Sequence, residues 1–298
     1  MIAVQPNQGP KESAQARSGP TVLRIVLGSQ LRRLREAQGI SRQVAGHAIR
    51  ASDAKISRLE SGRVGYKQRD VADLLTLYRV VDAQERDAFL TLADQASTPG
   101  WLHKYSDVLP SWFEMYVGLE QAAAVIRNYD VQFVPGLFQT EAYARAVIML
   151  GYLGAPTADI DLRVHLRMAR QDLLTRPDTP YVWVVVDEAA LRRPVGGEEV
   201  MRAQLERLIE LAELPKVTLQ VVPFQAGGHS AVGGAFSILR FAEPEIPDIA
   251  YTEQLTSALY IDKKADVGKY VMTMDRLSVE ASTPADTKRL LIQARKDT

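Results

Sequence analysis

Apolar residues recur at helical spacing from Val26 to about residue 96 and predict five short helices. In the first helix, Leu27, Leu31 and Leu34 share one side, and Gly39 ends the helix. The inward positions predicted for the other four helices are Val44, Ala45, Ala48 and Ile49, then Ile56 and Leu59, then Val71, Leu74, Leu75 and Tyr78, and finally Phe89, Leu92 and Ala93. Five short helices within about 75 residues predict a compact all-α unit.

Small polar residues predict where these helices start and stop. Ser41 and Ser52 directly precede helical patterns and fit the N-cap position, and Gly62 fits a helix end. Gly46 would weaken the second helix by about 1 kcal/mol relative to Ala unless packing requires the space.

After the segment STPG at 97–100 the pattern becomes mixed, which predicts a second domain. Helices are expected at 111–127, 139–151, 157–175 and 198–212, and two further helices close the chain, the last one capped by Thr283. Five strands are expected at 181–186, 217–224, 235–241, 247–253 and 258–261. The predicted organisation is multidomain: a disordered arm at 1–22, an all-α five-helix domain at 23–97 and an α+β domain of about five strands at 98–298.

The basic side chains are unevenly distributed, although the net charge of the chain is zero. Residues 24–70 contain eleven Lys and Arg against four Asp and Glu, a net charge of +7, whereas residues 71–298 carry −8. Such a local excess is typical of a module that binds a polyanion, although a solvated helix face would have the same composition. No apolar run is long enough to span a membrane, and the chain has no cysteine, so we expect a cytoplasmic protein without disulfides.

The second and third helices match the pattern of a helix-turn-helix, in which the start of the third helix enters the major groove. The segment ASDAKISRLESG at 51–62 resembles the recognition-helix segment of phage-repressor-like (Xre) regulators, with its pattern S-x-x-x-I-S-x-L/I-E-x-G. The resemblance implies DNA contacts from the side chains at the starts of the two helices, and exposed cations beyond them suit backbone phosphates. The candidate DNA-binding residues are Arg42, Gln43, Ser52, Asp53, Lys55, Ser57, Arg58, Arg63 and Lys67, with Arg69 as a further phosphate contact.

Two of these candidates have a second interpretation. Asp53 could accept a hydrogen bond from a cytosine amino group, or it could be a helix-start acid that repels DNA. Arg58 could contact DNA, or it could pair with Asp70 or Asp73 of the following helix.

Four blocks of the second domain together resemble the large C-terminal domain of actinobacterial Xre regulators of the WhiJ-like, antitoxin-like kind. The blocks are GWLHKYSDVLP at 100–110, VPGLFQTEAYARA at 134–146, VDEAALRRPVGG at 186–197 and QVVPF at 220–224. Leu102 and Phe138 stand where the family pattern has Trp and Leu, which are tolerable changes of volume. The resemblance implies that this domain binds a small protein encoded nearby or another signal, and it implies no catalytic residue.

The residues offer little support for an enzyme, a metal site or a cofactor. The four histidines lack ligand spacing, and the loop GGHSAVGG at 227–234 lacks the Lys-Ser/Thr of a phosphate-binding loop. Asp187 and Glu188 fit helix-start acids paired with Arg192 or Arg193 better than a catalytic carboxylate pair. A DNA-tethered enzyme would need a cleft that gathers Asp187, Glu188 and His229.

Aromatic side chains concentrate directly after the domain junction. We expect Trp112 and Phe113 to join the two domains, whereas Trp101 and Tyr105 could do the same or contact a partner or ligand.

These observations predict a transcriptional regulator, associated with the nucleoid, that binds double-stranded operator DNA as a homodimer. Its second domain would receive a small protein partner and thereby change operator affinity. A small-molecule-gated repressor with a pocket in the second domain is the alternative.

Overall fold

The computed structural model describes residues 19–98, 100–244 and 246–298. They divide into two compact units. The first extends to His103 and includes Glu243–Ile246, and the second comprises Lys104–Ala242 and Pro247–Thr298.

The first unit contains five helices around one apolar core. They are α1 (Pro20–Ala37), α2 (Arg42–Ala48), α3 (Asp53–Glu60), α4 (Gln68–Leu77) and α5 (Ala83–Ser97). The core joins residues of all five helices, among them Leu31, Ala45, Ile56, Leu75 and Phe89. The predicted all-α unit of five helices is therefore confirmed.

The predicted caps of this unit are also present. The hydroxyl of Ser41 accepts a hydrogen bond from the Val44 N–H, and that of Ser52 accepts one from the Lys55 N–H, each at 3.2 Å. Gly62 follows α3 with φ +67°, in the left-handed region that glycine adopts without steric cost.

The first unit differs from the sequence prediction at three places. Helix α1 begins at Pro20, inside the predicted arm, because proline suits the first helical position and Val22 is fully buried. Residues 1–18 of that arm lie outside the described residues. Val44 and Ala48 were expected to face inward, but both are exposed, since the short α2 has room for only Ala45, Gly46 and Ile49 on its buried side.

The turn between α2 and α3 explains the glycine at position 46. A Cβ atom there would lie 2.6 Å from the Ala51 carbonyl oxygen. Packing therefore requires the space that the glycine leaves, and any other residue would force the two helices apart.

The second unit combines six strands with helices. The strands are β1 (Val125–Asp130), β2 (Tyr181–Asp187), β3 (Val217–Val222), β4 (Phe236–Arg240), β5 (Ile249–Glu253) and β6 (Ala258–Ile261). The helices are α6 (Ser111–Ala122), α7 (Glu141–Gly151), α8 (Thr157–Arg170), α9 (Glu188–Arg192), α10 (Glu198–Leu211), α11 (Lys264–Glu280) and α12 (Pro284–Asp297). Short 3-10 turns lie at Trp101–Tyr105, Gly136–Phe138, Gln171–Leu174 and Phe224–Ala226.

The six strands form one mixed sheet in the order β3-β2-β1-β4-β5-β6. Strands β1, β2 and β3 are parallel, and β4, β5 and β6 continue the sheet in antiparallel pairs. The helix-sheet class is confirmed, but the sheet has one strand more than predicted. The extra strand is β1, whose first three residues were placed at the end of a helix.

The two faces of the sheet have different neighbours. Because side chains alternate along a strand, Tyr129 lies on one face, and Asn128 and Asp130 lie on the other. Tyr129 belongs to an apolar cluster with Met274 and Leu277 of α11. The opposite face, with Asn128 and Asp130, therefore carries polar groups into the interior between the sheet and the other helices.

Candidate functional site

The exposed surface of α2 and of the start of α3 carries most of the predicted DNA contacts. Gln43, Ser52 and Asp53 are exposed, and so are the cations Arg42, Arg58, Arg63 and Lys67. A helix start of this kind offers free N–H groups to phosphate, and the basic side chains around it add charge.

Lys55 differs from the other candidates because its charge is engaged within the unit. Its Nζ lies 2.8 Å from Oδ2 of Asp70, the carboxylate near the start of α4, whose side chain is only 13% exposed. In the structure Lys55 joins α3 to α4, and its predicted contact with DNA stays a prediction.

Arg58 does not pair with the following helix. Asp70 is bound by Lys55, and Asp73 lies 3.8 Å from Arg69 on the same helix. The interpretation of Arg58 as a partner of Asp70 or Asp73 is therefore wrong, and its exposed guanidinium remains available to an external anion.

Ser57 and Asp53 also make local contacts. The Ser57 hydroxyl accepts a hydrogen bond from Nη1 of Arg42 at 3.2 Å, which links the start of α2 to the middle of α3. Oδ1 of Asp53 accepts one from the Ala54 N–H at 2.8 Å, as expected of a helix-start acid. Its contact with cytosine stays a prediction.

A buried ion pair that the sequence did not predict holds α1 against α3. The guanidinium of Arg35 donates to both carboxylate oxygens of Glu60, at 2.6 and 3.1 Å, and also to the Ile40 carbonyl oxygen at 2.8 Å. The two side chains are 10% and 8% exposed, and hydrogen bonding to Glu60 raises the pKa of Arg35. This pair fixes the end of α3, and no local sequence signal marks it, because its two residues lie 25 positions apart on different helices.

The second unit contains a cleft of about 280 Å³ beside the carboxyl end of β1. Its wall on the sheet side consists of Asn128 and Asp130 of β1, Ser237 of β4, and Tyr251 and Glu253 of β5. Helices α6 and α8 contribute the opposite wall, with Phe113, Tyr116, Arg167 and Arg170. The rest of the lining consists of the segment from Phe133 to Gly136, Gln139, Val147, Ala235 and Phe236.

The two arginines of the cleft have different electrostatic environments. Arg170 donates through Nε and Nη2 to Glu120 at 2.8 and 2.7 Å, and both side chains are buried. Arg167 donates to the amide oxygen of Gln139 at 2.8 Å, and no carboxylate among the described residues lies within 4 Å of it. Burial, together with repulsion from Arg170, lowers the pKa of Arg167 to about 10.

Asp130 faces the same cleft without a hydrogen-bond partner among the described residues. Burial raises the pKa of Asp130 to about 7, the neighbouring Glu253 adds to the shift, and Arg167 opposes it. A carboxyl group with such a pKa is a group whose charge the surrounding protein does not compensate.

Comparison with protein families gives two matches. Residues 113–293 match a domain of unknown function, DUF5753, and residues 26–89 match a helix-turn-helix domain. The first match spans more than half of the chain. The chain belongs to the DUF5753 family. Neither the curated proteins nor the solved structures give a match to it.

The DUF5753 segment contains every residue that lines the cleft, and the helix-turn-helix match contains every candidate DNA contact. A DUF5753 domain thus follows a helix-turn-helix DNA-binding domain. No helix among the described residues is long and apolar enough to cross a membrane.

The aromatic residues around the start of the DUF5753 segment have separate environments. Tyr105 is fully buried, and its hydroxyl lies 2.7 Å from Nδ1 of His165, so the structure removes it from any exposed binding surface. Trp101 is 41% exposed. Phe113, which was expected to join the domains, stacks on Tyr116 with ring centroids 5.7 Å apart and lines the cleft.

The three residues required by the enzymatic alternative are only partly brought together. Nε2 of His229 lies 3.7 Å from Asp187 and 3.0 Å from the Tyr129 hydroxyl. Asp187 caps α9 through the Ala189 N–H, and Glu188 is engaged by Arg192 and by the Phe224 N–H. None of the three lines the cleft, and no group of three or more metal-ligating side chains occurs among the described residues.

Proposed function

We propose that the chain is a sequence-specific transcriptional regulator whose second unit controls the operator affinity of the first. The observation that carries this proposal is the α2-turn-α3 pair, whose exposed helix start lies in a segment with a net charge of +7 and falls within a helix-turn-helix match. The phage-repressor-like pattern of 51–62 supports placing this unit among Xre regulators, with α3 in the major groove.

The candidate contacts divide into two chemical classes. Gln43 is an exposed amide that can read a base edge, whereas Arg63 and Lys67 are exposed cations suited to backbone phosphates. Replacing Gln43 by Ala should relax sequence preference. Replacing Arg63 or Lys67 by Ala should weaken binding equally on all sequences and reduce the salt slope by about one unit each.

A binding titration on operator and scrambled DNA separates these effects. Lys269→Ala, which removes an exposed lysine of α11 in the second unit, is the matched control and should leave both affinities unchanged. Loss of specificity in the control variant, or unchanged specificity in Gln43→Ala, would contradict the placement of the interface.

We further propose that the regulator is a homodimer and that its second unit contacts a small protein partner, as the antitoxin-like resemblance implies. Exposed apolar side chains at the end of α7 support contact with another chain: Met149, Leu150 and Leu153 are 54%, 60% and 87% exposed within five consecutive residues. Two recognition helices in a dimer would meet half-sites about 34 Å apart.

Light scattering after size exclusion tests this surface. The double variant Leu150→Asp, Leu153→Asp should lose the dimer or the complex with the neighbouring gene product. Leu255→Asp, at a singly exposed leucine, should lose neither. A wild-type chain that remains monomeric and ignores the neighbouring protein would contradict this part of the proposal.

A small-molecule-gated repressor is the second candidate, and the cleft between the sheet and helices α6 and α8 favours it. Several polar groups converge there beside aromatic and aliphatic side chains, and such convergent polar groups orient ligands in pockets.

A further inference from the structure

The cleft of the second unit lies where the sheet changes from parallel to antiparallel pairing. Strand β1 pairs in parallel with β2 and antiparallel with β4, and Asp130 is its last residue. Ligands of open α/β sheets bind outside the carboxyl ends of strands at such changes of order.

The register of the strands brings polar groups into one row on the cleft face. Asn128 is opposite Ser237, and Ser237 is opposite Tyr251, so three neighbouring strands present an amide and two hydroxyl groups side by side. Glu253 lies two residues beyond Tyr251 on the same face, as Asp130 does beyond Asn128. Oδ1 of Asn128 is buried and has no hydrogen-bond partner among the described residues. An external donor would satisfy it after a small turn of the amide.

Two opposite charges share the cleft without pairing. The charge of Arg170 is neutralised by Glu120. Arg167, the other arginine of the cleft, has no carboxylate of the described residues within 4 Å. Asp130 makes no ion pair or hydrogen bond with the described residues. A ligand that carries both an anionic and a cationic group could occupy the space between them and compensate each charge.

Packed aromatic rings line one side of the cleft. The ring of Tyr116 lies against that of Tyr251 with centroids 4.3 Å apart, and it also stacks on the ring of Phe113 at 5.7 Å. A second pocket of about 80 Å³ shares Phe113, Arg167, Arg170 and Glu253 with the cleft. The space suits a small molecule with a planar apolar body rather than a polymer.

We propose that this cleft binds a small zwitterion with a flat apolar body, held between the guanidinium of Arg167 and the carboxylate of Asp130. The anionic oxygens of the ligand accept hydrogen bonds from Arg167, its ammonium group donates to Asp130 and Glu253, and its apolar body packs along the aromatic wall. Binding needs no DNA. The inference rests on the proposed function only in one respect: the bound zwitterion would be the signal through which the second unit controls operator affinity.

Neither a simple anion nor a simple cation fits the cleft as well. An anion alone would leave the half-buried carboxyl group of Asp130 without a compensating cation, and a cation alone would leave the half-buried guanidinium of Arg167 without a counterion. Aromatic α-amino acids have the required combination of groups and serve as probes.

The test is calorimetric titration of the full chain, without DNA, with L-phenylalanine, L-tyrosine and L-tryptophan. The matched half-ligands are tryptamine and phenethylamine, which lack the carboxylate, and indole-3-propionate and 3-phenylpropionate, which lack the amine. We expect at least one amino acid to bind with a Kd below 1 mM and at least tenfold more tightly than either of its half-ligands. Failure of all three at 5 mM, or equal binding of the half-ligands, would overturn the proposal.

Two variants locate the site. Arg167→Gln and Asp130→Asn should each lower the affinity for the amino acid at least tenfold. Asp130→Asn should leave the affinity for the amine-free half-ligand unchanged. Arg145→Gln and Asp248→Asn remove exposed charges outside the cleft and should bind as the wild type does. If Arg167→Gln does not fold, ligand-observed saturation-transfer NMR on the wild-type chain tests whether the amino acid binds. The ring protons of a bound amino acid receive magnetisation from the protein, whereas those of an unbound probe receive none.

This test is independent of DNA binding. A chain that binds the amino acid but no operator would refute the regulatory role and leave the cleft proposal intact. A chain that binds operator but none of the probes would refute the cleft proposal and leave the DNA-binding role intact.

Discussion

Lys55 and Asp70 form an ion pair that joins the start of α3 to the start of α4, with Nζ 2.8 Å from Oδ2. The carboxylate is nearly buried, whereas the lysine is one-third exposed. The pair therefore joins the start of the proposed recognition helix to α4 and restrains the position of α3 in the unit.

Lys55→Ala should destabilise the first unit by about 1–2 kcal/mol, because it leaves the Asp70 carboxylate without its partner. Hydrogen exchange in α3 and α4 measures the loss. Arg69→Ala, at the exposed pair with Asp73, is the control and should cost less than about 0.5 kcal/mol. Equal effects of the two variants would show that the Lys55 pair is not structural.

The ion pair between Arg35 and Glu60 should contribute more to the free energy of unfolding than the pair between Lys55 and Asp70. Glu60→Gln leaves a buried guanidinium short of its counterion and should cost about 3 kcal/mol. The same change at Glu36, whose pair with Arg32 is more than half exposed on both sides, should cost less than about 0.5 kcal/mol. Urea unfolding of the two variants, followed by circular dichroism at 222 nm, compares them directly. A small effect at Glu60 would mean that α1 and α3 are held by apolar packing alone.

The turn between α2 and α3 should reject any side chain at position 46. Gly46→Ala places a Cβ 2.6 Å from the Ala51 carbonyl oxygen and should destabilise the unit by at least about 2 kcal/mol. Gly65→Ala meets nothing within 4 Å and should be neutral or stabilise by up to about 1 kcal/mol. Thermal unfolding of both variants, with DNA affinity measured below the transition, tests this difference. An unaffected Gly46→Ala variant would contradict the close approach of the two helices.

Stability of the second unit should fall as pH rises from about 4 to about 7. The pKa of Asp130 is about 7 in the folded chain and about 3.9 in the unfolded one, so the folded state binds more protons in that window. The stabilisation is fully present below pH 4 and is lost as pH passes 7, by an amount on the order of a few kcal/mol.

Asp130→Asn should flatten this pH dependence and raise stability at pH 8. Tryptophan fluorescence during urea unfolding follows the unit, since Trp112 and Trp183 both lie in it. Asp248→Asn is the control and should keep the wild-type slope. An unchanged slope in Asp130→Asn would show that the carboxyl group titrates normally in the folded chain.

Features that depend on a few neighbouring residues were predictable from the sequence. Ser41 and Ser52 cap their helices, Thr283 caps the last one, and Gly62 adopts a positive φ, because each of these outcomes is determined within one turn of chain. The pattern of the second and third helices, together with the resemblance at 51–62, predicted the helix-turn-helix, and the family match supports it.

Features that depend on packing between distant segments were not predictable. Strand β1 follows a helix through the run Ala122-Ala123-Ala124, which continues the helical spacing of apolar residues. Its polar residues Asn128 and Asp130 also depart from the usual composition of a strand. These residues are polar because they line the cleft. The partners of Lys55 and Arg35 likewise become visible only once α3 is placed against its neighbours.

We expect the first unit to read a specific DNA sequence through the start of α3. The most direct measurement is a salt-titrated binding assay of the intact chain on the DNA upstream of its own gene and on scrambled DNA of the same length. We expect the upstream DNA to bind at least about a thousandfold more tightly at physiological salt, with a steep salt dependence on both DNAs. Equal affinities for the two DNAs would contradict the claim.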